Sequence, residues 1–94
     1  MSRPARYLQV RASIERQIED AGLKAGDRLP TERELAGRLG VARPTLRRSM
    51  QLLESAGVVE RRLVPGRPPH AEYRLTATGR RLAEAVSGVL RQHA

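Results

Sequence analysis

The first part of the chain places apolar residues at a helical period. The apolar series comprises Tyr7, Val10, Ile14, Ile18 and Ala21. Its members lie three or four residues apart, which puts them on one face of an α-helix, and charged side chains occupy positions between them. The spacing predicts an amphipathic helix over residues 5–21, which Gly22 ends.

Residues 29–47, LPTERELAGRLGVARPTLR, predict two short helices joined by a tight turn. The first begins at Thr31, whose hydroxyl can accept from the Glu34 amide while the Glu34 carboxylate reaches back to the Thr31 amide. It runs to about Leu39, after which Gly40 can adopt the positive φ of a sharp turn. The apolar positions that the two helices share as one buried face are Leu35, Leu39, Val41 and Leu46.

The second of these helices opens at residues 42–44 and continues to Ala56. Pro44 suits the first helical turn, where its missing amide hydrogen costs least. The positions expected in the core are Leu46, Met50 and Leu53, with Leu52 at the margin. Gly57 then ends the helix.

The last third of the chain predicts a hairpin and one more helix. Strand-like VVERRLV at 58–64 and AEYRL at 71–75 pair antiparallel across the loop PGRPPH, and a helix follows at 77–92. A brief strand is also expected around Arg28 and Leu29. The fold class is therefore mainly α with a small β-hairpin, in the order of a winged helix-turn-helix. One domain spans residues 1–94: helix-turn-helix 31–56, wing 58–75 and C-terminal helix 77–92.

The polar side chains of the helix-turn-helix point away from its shared apolar face. They are Arg33, Arg38, Arg43, Thr45, Arg47 and Arg48. Two helices joined by a tight turn, with basic side chains outward on the second, are the outline of a DNA-reading element. Because Arg43 and Arg47 are four residues apart, they share a helix face, from which each can donate two parallel bonds to a guanine. Arg38 and Arg80 are expected to be solvated surface charges.

Charge is distributed unevenly along the chain. Residues 1–35 hold seven basic and six acidic groups, whereas residues 36–94 hold eleven basic and four acidic groups, within a net charge of +8. This asymmetry favours a polyanionic partner, and nucleic acid ranks ahead of a membrane because no basic segment carries large insertable apolar residues. Seventeen of the eighteen basic residues are Arg, an excess that a GC-rich genome explains equally well, although it does not explain the clustering.

Other chemistry has little support in the sequence. There is no cysteine for thiol, disulfide or iron–sulfur chemistry, and His70 and His93 are not spaced as metal ligands. Glu32 and Glu34 have no evident partners for acid–base catalysis, while Tyr73 either stacks on a base or ligand or packs over the hairpin. The sequence therefore predicts a protein without enzymatic activity, without a cofactor and without a small-molecule effector. Without a signal core or membrane span, the protein is expected in the bacterial cytoplasm, at the nucleoid when bound.

Residues 7–62 closely resemble the DNA-binding domain of GntR-type bacterial transcription regulators. The motifs that carry the resemblance are G-D-R-L-P-T-E-R-E-L-A and L-G-V-x-R-P-T-L-R. HAEYRLTATGRRLAEAVSGVL, at 70–90, instead resembles the wing-to-helix passage of HxlR- and MarR-type regulators. GntR-type proteins normally append a larger ligand-binding or dimerising domain, which we do not expect in a chain of 94 residues.

The resemblance implies a set of DNA contacts: Arg33, Arg43, Thr45, Arg47 and, at the wing tip, Gly66. Side-chain chemistry suits Arg33 and Thr45 to phosphates. Four further arginines are expected to add positive charge: Arg48, Arg61, Arg62 and Arg67. Ala42 departs from the family's usual Ser, which removes a helix cap and is expected to reduce affinity.

Three functions are compatible with these residues. The first is a sequence-specific regulator of double-stranded DNA, a repressor that binds a pseudo-palindromic operator. It acts as a homodimer, which forms through helix one and the C-terminal helix. Its recognition helix, 43–56, lies in the major groove, and its basic wing contacts the flanking backbone or the minor groove. The second is a plasmid or mobile-element replication, partition or transfer factor. The third is a winged-helix module that binds an acidic protein.

Overall fold

The computed structural model describes the backbone of residues 5–92 and the side chains of residues 5–85. Its elements are α1 (Arg6–Asp20), α2 (Glu32–Leu39), α3 (Arg43–Ser55), β1 (Val59–Val64), β2 (His70–Leu75) and α4 (Ala77–Gln92). The order and bounds predicted from the sequence are confirmed to within one residue. Among the described residues, no helix is long and apolar enough to cross a membrane.

The core lies where α1, α2 and α3 meet the inner face of the hairpin. Ile14, Leu46, Met50 and Leu53 are completely buried, as the helical spacing predicts. Ala21 is the exception to the predicted series: it is exposed because α1 ends at Asp20. The three helices and the hairpin therefore share one small, largely aliphatic core, in which the inner face of α3 is buried.

The ends of α2 and α3 lie where the sequence predicts, but of the two hydrogen bonds predicted between Thr31 and Glu34 only one is present. The Glu34 amide donates to the Thr31 hydroxyl at 3.1 Å, so α2 begins at a side-chain cap. Gly40 ends α2 with φ of 64°, a conformation that favours glycine. Ala42 stands at the start of α3 and provides no side-chain cap.

The hairpin β1–β2 is antiparallel, with Val59 opposite Leu75 and Arg61 opposite Tyr73. Because side chains alternate along a strand, these four side chains share the face that meets the helices. The brief strand expected near Leu29 is a single bridge between Arg28 and Arg74.

Arg80 corrects one sequence prediction. It was expected to be solvated, but only 19% of its side chain is exposed. Its guanidinium donates to the Glu19 carboxylate at 2.6 Å and to the Leu23 carbonyl oxygen at 2.7 Å, which attaches α4 to the end of α1. The helical spacing of Leu82, Val86, Val89 and Leu90 predicts one apolar face on α4. Leu82 is 44% exposed, while the side chains of the other three, like His93, lie outside the described residues.

Candidate nucleic-acid interface

The outer face of α3 carries two arginines one turn apart. The side chains of Arg43 and Arg47 are 56% and 57% exposed, and Thr45 between them is half-buried. Arg33 is exposed on the first turn of α2. Positive groups from two helices therefore lie on one accessible side of the helix-turn-helix.

A cleft of about 810 Å³ separates this helical face from the hairpin. Arg33, Arg43 and Arg47 line its helical wall, and Arg61 and Leu63 line its hairpin wall. The structure thus brings together three of the predicted site residues, with the wing beside them.

The wing divides its arginines between two faces. Arg61 lies on the cleft side, whereas Arg62, the next residue, points to the other face and pairs with Glu60 at 3.5 Å. From the sequence, Arg61 and Arg62 are both predicted only to add positive charge. Because side chains alternate along a strand, these neighbours point to opposite faces of the hairpin. Gly66 and Arg67 lie in the exposed turn between the strands, beyond the residues that line the cleft.

Arg48 lies away from the cleft. Its guanidinium sits 4.3 Å from the ring centroid of Tyr7, at the start of α1, in a cation–π contact. The neighbouring Ser49 hydroxyl donates to the Tyr7 carbonyl oxygen at 2.7 Å. These contacts join α3 to α1, a role for Arg48 that the sequence did not predict.

Glu32, which also lines the cleft, is a second contact residue that the sequence did not predict. One carboxylate oxygen of Glu32 accepts from the Tyr73 hydroxyl at 2.8 Å. The other accepts from Arg47 Nε at 3.4 Å and lies 3.9 Å from Arg43 Nη2. Glu32 therefore connects the hairpin to Arg43 and Arg47 of α3. The capping motif gives a role to Glu34 but none to Glu32. No local sequence pattern can pair Glu32 with Tyr73, which lies 41 positions later.

Tyr73 packs over the hairpin, one of the two roles that its sequence position left open. It is 2% exposed. Burial, followed by the hydrogen bond to Glu32 and its negative charge, raises the pKa of Tyr73 to about 12, although Arg61 acts in the opposite direction. The phenol is therefore a neutral donor throughout the physiological range.

This shift predicts a loss of stability in alkali. Because the pKa is higher in the folded chain than the unfolded value of 10.0, the phenol's contribution is complete below pH 10 and is lost as the pH rises from 10 to 12. Between pH 10 and pH 12, we expect the free energy of unfolding of the unsubstituted protein to fall by about 2 kcal/mol more than that of the Tyr73→Phe variant. Urea denaturation of both proteins at several pH values measures the difference, and parallel pH profiles would contradict it.

Within residues 5–92, the structure contains no group of three or more His, Cys, Asp or Glu side chains that could hold a metal ion. His70 is exposed at the start of β2.

Comparison with known proteins identifies the family and the fold of the chain. The model of the gntR family of bacterial regulatory proteins matches residues 6–66. The HTH-type transcriptional regulator Rv1152 of Mycobacterium tuberculosis (strain ATCC 25618 / H37Rv) is 46% identical over 54 residues, which are 57% of this chain and 45% of that protein. The Glc operon transcriptional activator of Escherichia coli (strain K12) is 45% identical over 51 residues, 54% of this chain and 20% of that protein.

A solved structure extends the likeness beyond the helix-turn-helix. The GntR family transcriptional regulator from Listeria monocytogenes superposes with a TM-score of 0.64 at 27% identity, covering 98% of this chain and 75% of that one. The chain spans less than half the length of the curated relatives it matches. The family match covers the three helices, the turn and β1, so the chain belongs to the gntR family of bacterial transcription regulators and is a winged helix-turn-helix DNA-binding domain.

Proposed function

We propose that this domain recognises a specific operator in double-stranded DNA and represses transcription by occupying it. In this proposal α3 lies in the major groove, where Arg43 and Arg47 donate to guanine edges. The observation that carries it is the pairing of these two exposed arginines on the helical wall of the cleft, one turn apart and held by the same carboxylate.

The remaining contacts of the proposal fix the register of the protein on the duplex. Arg33 and Thr45 bind phosphates, which position the domain without recognising sequence. On the wing, Arg61 faces the same cleft and joins this set. Residues outside the cleft contribute charge or backbone contacts near the flanking DNA: Arg48, Arg62, Gly66 and Arg67.

We also propose that the domain acts as a homodimer through α1 and α4. Two exposed leucines support this surface: Leu8 on α1 is 43% exposed and Leu82 on α4 is 44% exposed. The two helices are joined by the ion pair of Arg80 and Glu19, so they are adjacent in the fold. A two-fold axis between the copies makes the operator pseudo-palindromic.

Selection of duplexes from a random pool tests the proposal. We expect enrichment of an inverted repeat whose half-sites are centred about 10 base pairs apart, and sedimentation of the complex should give two protein chains per duplex. Selection of tandem direct repeats would instead favour a replication or partition factor. A strictly monomeric protein that enriches no sequence would contradict the proposed regulator.

A further inference from the structure

Glu32 places a negative charge directly beside the arginines of the cleft, which Glu54 also lines. Only 13% of its side chain is exposed, and it lines the cleft beside Arg43 and Arg47. A carboxylate at this place repels the phosphates of any bound duplex. Ion pairs with half-exposed arginines add little to folding stability, so stability accounts for the hydrogen bond of Glu32 to Tyr73 but not for its contacts with Arg43 and Arg47.

The position of the Glu32 carboxylate is fixed from two directions. Glu32 is the first residue of α2, next to the capping residue Thr31, so its backbone is held in the helix. Its Oε1 accepts from the hydroxyl of Tyr73, whose ring is buried. The other oxygen, Oε2, faces the guanidinium groups of Arg43 and Arg47 and accepts a hydrogen bond from Arg47 Nε. An acceptor anchored in this way can set the orientation of a long, flexible side chain.

We infer that Glu32 is a positioning residue that orients Arg43 and Arg47 for base recognition, an inference that rests on the proposed operator binding. An unpaired arginine loses rotamer freedom when it binds, and this loss weakens the complex. Pairing with Glu32 restricts both side chains before DNA arrives. The same carboxylate weakens binding to phosphates alone. Both effects raise the ratio of operator affinity to non-specific affinity.

The test compares Glu32→Gln with Glu34→Gln, using the selected duplex and a shuffled duplex of the same composition. Both variants remove one negative charge from the first turn of α2, but Glu34 is exposed and does not line the cleft. Relative to the unsubstituted protein, we expect Glu32→Gln to reduce the affinity ratio about tenfold, since two arginines lose their orientation. Non-specific affinity should stay the same or rise. Glu34→Gln should leave the ratio unchanged.

Tyr73→Phe provides a second measurement that keeps the buried ring and removes only the hydroxyl that anchors Oε1. We expect it to lower the ratio in the same direction by a smaller factor. A merely structural role would weaken binding to both duplexes equally, so an unchanged ratio in Glu32→Gln and Tyr73→Phe would overturn the inference. If the unsubstituted protein itself shows no preference between the duplexes, the proposed function fails and the inference fails with it.

Discussion

Gly79→Ala is expected to destabilise the domain by about 3 kcal/mol or more, because the added methyl group has no space. A Cβ at Gly79 would lie 2.7 Å from Leu75 Cδ1 and even closer to the backbone oxygen of Val58. The first turn of α4 cannot move aside easily. The Thr76 hydroxyl accepts from the Gly79 amide at 2.9 Å and donates to that same Val58 oxygen at 3.0 Å.

Gly37→Ala is the matched control for this substitution. Gly37 lies within α2, and a Cβ there would have nothing within 4 Å. Alanine is therefore expected to stabilise the domain by up to about 1 kcal/mol through its helix propensity. Thermal unfolding should show a fall in midpoint of about 12 °C or more for Gly79→Ala and a small rise for Gly37→Ala. Equal midpoints for the two variants would contradict the close packing of α4 on Val58.

Replacing both Arg43 and Arg47 with Ala is expected to remove most of the sequence preference. A bidentate arginine–guanine pair contributes about 1–3 kcal/mol of discrimination. Because the two side chains share Glu32, their effects are not expected to be additive. We expect the double variant to lose about 2–4 kcal/mol of operator affinity, measured by titration of the selected duplex.

The control removes the same charge from the wing. Arg62 and Arg67 lie outside the cleft, so the Arg62→Ala, Arg67→Ala double variant should weaken binding to all duplexes alike, with the operator preference retained. Equal, sequence-independent losses in the two double variants would mean that α3 does not recognise bases directly.

Local pattern was sufficient to predict the architecture. Apolar spacing placed α1 and α3, the Thr31–Glu34 pair fixed the start of α2, and Gly40 marked the turn. These features act over a few residues, so they can be recognised without knowledge of tertiary contacts. The same spacing indicated that Arg43 and Arg47 share a helix face.

Contacts between distant segments could not be predicted in this way. The partners of Glu32 come from α3 and from β2, and Arg80 reaches a residue 61 positions earlier. Charged residues at such positions look like ordinary surface residues in the sequence. Strand alternation could have separated Arg61 from Arg62 once Tyr73 was placed on the inner face.

Titration of the selected duplex and its shuffled counterpart at several salt concentrations tests most directly that this surface recognises a DNA sequence. We expect the selected duplex to bind at least about 1,000-fold more tightly, and log affinity for both to fall linearly with log salt, by about 0.9 per phosphate contacted. Equal affinities for the two duplexes, or binding that does not weaken with salt, would contradict sequence-specific DNA recognition by this surface.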